Sequence, residues 1–273
     1  MMRSDVIGVA DGVGGWPAGS KANPALYARL LLDNIGSYMA GLDDPNNLDL
    51  SEGDLMGVSA EELLRRAYQA MDPAVIGSTT VSLAFLQSPW IQFGVLGDCG
   101  FMVFRRNGIY LRSEEQQHSF NYPYQLSSKR INRPEDALRL RIRIEPGDLV
   151  LLGSDGLFDN LFDEDICAAV RSSLITNPIG QVTLGSVSNN NGKDSSPFIV
   201  KYQFATPTRQ KLQALADELA KKAREASRDQ NYHSPFAKRA IEQGIYAIGG
   251  KEDDITVVLA YVAVAEDSPD RRL

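Results

Sequence analysis

The chain has 273 residues, 43% hydrophobic and 23% charged, which is enough to bury a sizeable core and argues against a disordered chain. Its formal net charge is −7, from 28 basic and 35 acidic residues, which argues against nucleic acid as a generic electrostatic partner. It has two cysteines, Cys99 and Cys167, and no run of 18 apolar residues, so neither a disulfide framework nor a transmembrane helix is expected.

The N-terminus, MMRSD, runs at once into a strand and shows no signal peptide or Arg-rich presequence. The expectation is a cytosolic protein, or one whose N-terminal part has been removed or missed. The strand is Val6–Ala10, and it stops at Asp11. Gly12-Val13-Gly14-Gly15 and Trp16 follow. A carboxylate at a strand tip beside bare Gly carbonyls can hold a cation. A tight turn with a solvated Asp explains the stretch equally well.

Pro24–Leu42 has helical spacing, with Leu26, Leu30, Leu31, Ile35, Tyr38, Met39 and Leu42 on one stripe. Asp43–Gly57 reads as an acidic loop, and Ser59 with Glu62 as a capping box opening a second helix. Gly77–Leu86, Trp90–Leu96 and Gly100–Phe104 read as successive antiparallel strands. Asn107-Gly108 is the strongest hairpin signal and returns the chain through Ile109–Arg112. Leu140, Ile142 and Ile144 alternate with Arg139, Arg141 and Arg143, a half-buried strand with a solvated basic face. Asp148–Gly153 is a further apolar strand, ending at Ser154-Asp155-Gly156, and Asp163–Ile175 a helix. Thr176–Ala205 is polar and aperiodic, a surface insertion. Thr206 and Pro207 should start a long helix buried through Leu212, Leu215, Leu219 and Ala223; Ser234-Pro235 should start a short one. The last strand is Ile255–Val264. Strands clustered rather than alternating with helices predict an α+β fold, antiparallel sheets with helices packed outside. Trp16 and Trp90 read as packing anchors.

Three apolar strands carry acids at their tips: Asp11, Asp155 and the pair Asp253-Asp254. Converging strands with a carboxylate at each tip need a compensating charge. An oxygen-only set suits Mg²⁺ or Mn²⁺; no His/Cys cluster has zinc spacing. A two-ion centre is suited to phosphate ester hydrolysis.

Five segments then occur in order: Asp11-Gly12-Val13-Gly14-Gly15, Gly77-Ser78-Thr79-Thr80, Leu96-Gly97-Asp98, Ser154-Asp155-Gly156-Leu157-Phe158-Asp159 and Gly250-Lys251-Glu252-Asp253-Asp254-Ile255-Thr256. They resemble the successive motifs of metal-dependent Ser/Thr protein phosphatases, the 2C type or PPM family, across nearly the whole chain. Glu115–Asn121, Gln125–Ser127 and Asn231–Ala237 resemble the mitochondrial-targeted branch and its plant relatives. The resemblance implies one domain over 1–273, a four-layer αββα sandwich of two antiparallel sheets flanked by helices, with two Mn²⁺ or Mg²⁺ ions in a cleft at one end. It implies that Asp11 bridges both ions, that the Gly12 carbonyl ligates one, and that Asp155 and Asp253 ligate the other. Asp254 falls to a supporting role. Asp98 and Asp159 fall where some relatives hold a weaker third ion, and loop capping accounts for them equally well.

Two departures stand out. Val13 occupies the position where many members have a histidine, and His118 is the candidate substitute; packing with Phe120 and Tyr122 is the favoured reading of His118. The family's preceding strand, with its phosphate-binding Arg, has no room in the five residues before Val6, and Arg3 is too close to Asp11 to replace it. The implied activity is hydrolysis of phosphoserine and phosphothreonine by a metal-bridging hydroxide, with phosphoprotein partners, a monomeric state, and a mitochondrial or other organellar location. The alternative is a pseudophosphatase, a binding module with an incomplete second metal site.

Overall fold

The structure, a computed structural model, describes residues 1–43, 58–106, 108–174 and 206–263. Most of the acidic loop Asp43–Gly57, the hairpin residue Asn107 and the insertion Thr176–Ala205 lie outside the described residues. In chain order the elements are β1 (Val6–Gly12), α1 (Pro24–Asp43), α2 (Ala60–Gln69), β2 (Ser78–Gln87), β3 (Trp90–Leu96), β4 (Gly100–Arg105) and β5 (Gly108–Arg112). Three short strands follow, β6 (Gln117–Ser119), β7 (Tyr122–Pro123) and β8 (Leu126–Ser127). Then come β9 (Leu138–Arg143), β10 (Leu149–Gly153), α3 (Asp155–Phe158), α4 (Asp163–Leu174), α5 (Arg209–Arg228), α6 (Pro235–Glu242) and β11 (Val257–Tyr261).

Side-chain alternation builds the layers. In β2, Val81, Leu83 and Phe85 join the apolar cluster under α1 and α2, while Ala84 joins a second cluster with Ile7, Val9, Phe93 and Val150. Successive strand residues face opposite sides, so one strand feeds two cores. The first sheet runs β1-β2-β3-β9, with β8 also against β2; the second runs β11-β10-β4-β5. All these pairings are antiparallel. The second cluster lies between the two sheets, where Phe93 and Phe101 stack with ring centroids 3.8 Å apart. A third cluster joins Leu149 and Leu151 to Ile166, Val170, Leu215 and Leu219 of α4 and α5. The result is the four-layer αββα sandwich. Among the described residues, no helix is long and apolar enough to cross a membrane.

Several boundaries differ from the sequence reading. Helix α5 starts at Arg209, because Thr208 and not Thr206 turns its side chain to accept from Lys211 N–H. Strand β11 begins only at Val257, since its partner β10 ends at Gly153 and the Ser154 hydroxyl takes the Thr256 N–H instead. Ser59 caps α2 as expected, but Glu62 turns to Arg65 and Arg66 and leaves the capping box open. Leu31, Ile35 and Met39 of the expected α1 stripe are buried, but in the first turn Leu26 is 38% exposed and Tyr27 takes the inward place. Trp90 is no core anchor: it is 36% exposed and lies under the Arg141 guanidinium. At the start of the chain, residues 1–3 fold back along the other edge of β1. Met2 bridges Ile7, and the Gly8 N–H donates to the Met1 carbonyl.

Candidate metal centre

Asp11 shares the face of β1 that carries Ile7 and Val9, so strand parity aims it between the sheets at their open end. Asp155 comes from the second sheet. Strand β10 stops at Gly153, Ser154 is buried at the N-cap, and Asp155 opens the short α3. The segment before β11 is pinned against this turn. The Ser154 hydroxyl donates to the Asp254 carbonyl at 3.0 Å and accepts from Thr256 N–H at 3.0 Å. A Cβ on Gly156 would overlap the Asp254 carbonyl, so only glycine permits this approach. Asp253 is thereby delivered to Asp155. Asp11, Asp155 and Asp253 each offer a carboxylate oxygen, all within 4.8 Å of one another. Gly12 lines the same cleft.

Asp98 reaches the cleft from the crossover between the sheets. Gly97 makes that turn at φ +99°, and a Cβ there would strike the Tyr124 carbonyl. Asp159 lies one turn beyond Asp155, where Arg239 of α6 engages one oxygen and the Lys251 ammonium the other, at 2.6 Å. Lys251 also lies 2.5 Å from Asp155 and 3.2 Å from Asp253. Asp254 is exposed, and its N–H donates to Asp253 at 2.9 Å.

The electrostatics follow from crowding. Burial, then the neighbouring Asp155 charge, pushes the Asp11 carboxyl up to about 8 and likewise the Asp98 carboxyl to about 8. Burial also raises Asp159 to about 6, against the pull of Lys251. Asp253 shifts upward for the same first reason, with Asp155 adding to it. A pocket that holds protons this strongly is short of positive charge. Its donors are hard oxygens at mutual distances a divalent ion can span, so the residues fit Mg²⁺ or Mn²⁺.

The sign of the pH effect follows. Asp11 and Asp98 titrate above their ordinary 3.8, so the folded ion-free chain binds protons that the unfolded chain releases. Their favourable contribution is fully present below about pH 4 and is lost as pH rises toward 8. The melting temperature of EDTA-stripped protein is expected to fall by several degrees between pH 5 and 8, and saturating Mn²⁺ should flatten the curve. Equal melting temperatures across that range without metal would contradict this charge balance.

The acids line a cleft of about 530 Å³, whose walls include Val13, Trp16, Tyr122, Lys129 and Ile131. Trp16 donates to the Ser78 hydroxyl at 3.1 Å and lies under the Lys129 ammonium, 4.6 Å from the ring centre. His118 is not among the described residues that line the cleft. It stacks on Tyr124 at 4.2 Å and pairs through Nε2 with Asn132 at 3.0 Å; Phe120 packs on Phe236 rather than on His118. Arg3 pairs with Asp5 and Asp43. Cys99 is buried against Thr80 with its thiol held far toward the neutral form by burial, and Cys167 is buried in α4. The sequence reading does not assign the contributions of Lys251, Arg239 and Asn160: the contacts Lys251–Asp155, Arg239–Asp159 and Asn160–Lys251 span 96, 80 and 91 positions, and no local period marks them.

A family model described as protein phosphatase 2C matches residues 3–183. A "Probable protein phosphatase 2C 55" of Arabidopsis thaliana is 32% identical over 266 residues, covering 97% of this chain and 47% of that protein. A "Protein phosphatase PTC7 homolog fig" of Drosophila willistoni is 36% identical over 97% of this chain and 75% of its own length. The chain thus spans about half the length of the plant relative and three quarters of the fly one. Among solved structures, the photosystem II phosphatase PBCP superposes with a TM-score of 0.71 at 29% identity, covering 95% of this chain and 87% of that one. With the ordered motifs, the αββα layers and the converging carboxylates, these likenesses show that the chain belongs to the protein phosphatase 2C family of metal-dependent serine/threonine phosphatases.

Proposed function

We propose that this chain hydrolyses phosphoserine and phosphothreonine in proteins, at a centre where Asp11, the Gly12 carbonyl, Asp155 and Asp253 hold two Mn²⁺ or Mg²⁺ ions. The observation that carries the reading is the convergence of three carboxylates from two sheets, within 4.8 Å, at the floor of an open cleft. When bound, such ions supply a nucleophile at neutral pH and offset charge on the phosphoryl group. The chain's own part is to place Asp11 centrally and to fix Asp155 and Asp253 through Ser154 and Gly156. Val13 leaves an apolar wall where the resemblance places a histidine in many members, and the proton for the leaving alcohol then comes from water or another residue. Trp16, Tyr122, Ile131 and Lys129 form a mixed apolar and cationic rim suited to a phosphopeptide. An organellar, mitochondrial setting is part of the proposal, supported by the Glu115–Asn121 and Asn231–Ala237 stretches and by the likeness to the PTC7 homologue.

The test is direct. Purified protein should hydrolyse a phosphothreonine peptide with Mn²⁺, stop on addition of EDTA, and tolerate iodoacetamide, since both cysteines are buried. Turnover that survives EDTA but is lost to iodoacetamide would overturn the reading.

A further inference from the structure

Lys251 enters the acidic cluster from the segment that delivers Asp253. Its backbone is fixed first. The wholly buried Asn160 accepts from the Lys251 N–H at 2.9 Å and donates its side-chain N–H to the Lys251 carbonyl at 2.8 Å. With the main chain clamped, the ammonium has three carboxylate neighbours: Asp155 at 2.5 Å, Asp159 at 2.6 Å and Asp253 at 3.2 Å. The ammonium donates hydrogen bonds to Asp155 and Asp159 and is ion-paired with Asp253. The Phe236 ring centre lies 5.3 Å away and Arg239 covers the other Asp159 oxygen.

We infer that Lys251 is a built-in cation of this cluster, occupying the position between Asp155 and Asp159, on the side of Asp98, that a further divalent ion would need. The inference rests on the two-ion centre proposed above. A divalent ion ligated by Asp155 and Asp159 would use oxygens that the ammonium already holds, at distances of roughly 2.0–2.6 Å. Two cations sharing these oxygens would stand only a few ångströms apart in a partly buried cluster and repel each other strongly. Asp159 already faces two cations, Arg239 on one oxygen and Lys251 on the other, so a divalent ion there would add a third to the same carboxylate. The wild-type chain therefore takes up two exchangeable ions and no third, and the tethered charge fixes Asp155 in place whether or not ions are bound. Lysine serves here as a point charge on a flexible stem, which methionine matches closely in length without the charge.

The experiment counts metal on the full chain. EDTA-stripped protein is dialysed to equilibrium against Mn²⁺, and bound manganese is measured by atomic emission. Wild type is expected to bind two ions per chain, Lys251→Met three, and the double variant Lys251→Met/Asp159→Asn two again. Three ions on wild type would overturn the inference, as would two on a folded Lys251→Met chain. Should Lys251→Met not fold, as judged by circular dichroism, Lys251→Gln gives the same count. Fewer than two ions on wild type would sink the two-ion reading and this inference together. Two ions on both wild type and Lys251→Met, with loss of ions in Asp11→Asn, would sink this inference alone.

Discussion

Asp11→Asn should lower Mn²⁺-dependent hydrolysis of a phosphothreonine peptide by about a thousandfold or more, and leave the ion-free protein at least as stable as wild type. The two effects have one cause. Asp11 ends β1 on the face between the sheets, where burial and the Asp155 charge hold its carboxyl up to about 8. In the absence of metal the carboxyl loses its proton only as pH rises toward 8, and the buried charge is then a liability that the neutral isostere avoids. With metal bound, the proposed centre would draw on this carboxylate as a charged ligand, and the neutral amide would not replace it. Stripped protein melted at pH 8 should therefore show an unchanged or higher melting temperature for the variant, while dialysis against Mn²⁺ shows lost ions. A variant that retains activity within about tenfold of wild type would remove Asp11 from the centre. A variant that melts well below wild type would mean that Asp11 serves the fold instead. Sites that trade stability for function in this way are common.

The largest loss of stability is expected from Phe101→Ala, at about 3–5 kcal/mol. Phe101 is fully buried in β4 and stacks on Phe93 of β3 at 3.8 Å with rings 6° from parallel. The pair spans the interface between the two sheets. Truncating one ring leaves a cavity with a rigid sheet on either side, and neither can move inward without breaking its ladder. For a domain of this size the cost corresponds to roughly 10 °C in melting temperature. Mn²⁺ should raise the melting point of variant and wild type alike, because it acts by mass action on a site that the cavity does not touch. A loss below about 1 kcal/mol in chemical denaturation would show that the sheets close over the gap, and that packing here is looser than the stacked rings suggest.

Much of this molecule is legible along the chain. The alternation in β9, the helical stripe Leu212, Leu215, Leu219 and Ala223, and the acids beside apolar runs are local properties, and the structure returns them as layers and as a cleft. Local signals also misled where two neighbours competed. Thr206 and Thr208 are both capable caps, and only the observed turn of the chain selects Thr208. The short strands β6, β7 and β8 have no period long enough to read; they form because the Gln116–Ser127 stretch is laid against β2 and Gly97.

The centre divides along the same line. That Asp11 and Asp155 stand at strand ends and Asp253 just ahead of the last strand belongs to the sequence, because the limits of a strand follow from short runs of apolar residues. That their oxygens meet within 4.8 Å belongs to the fold, through Gly156 admitting the Asp254 carbonyl. Lys251 and Asp155 are 96 positions apart, and nothing in the spacing of either announces the other. Charge pairing acts through space over a few ångströms, whereas sequence periodicity reports only which face of an element is buried. So the chain by itself determines which residues can serve as ligands, and only the tertiary structure decides which cation, bound or built in, stands beside each of them.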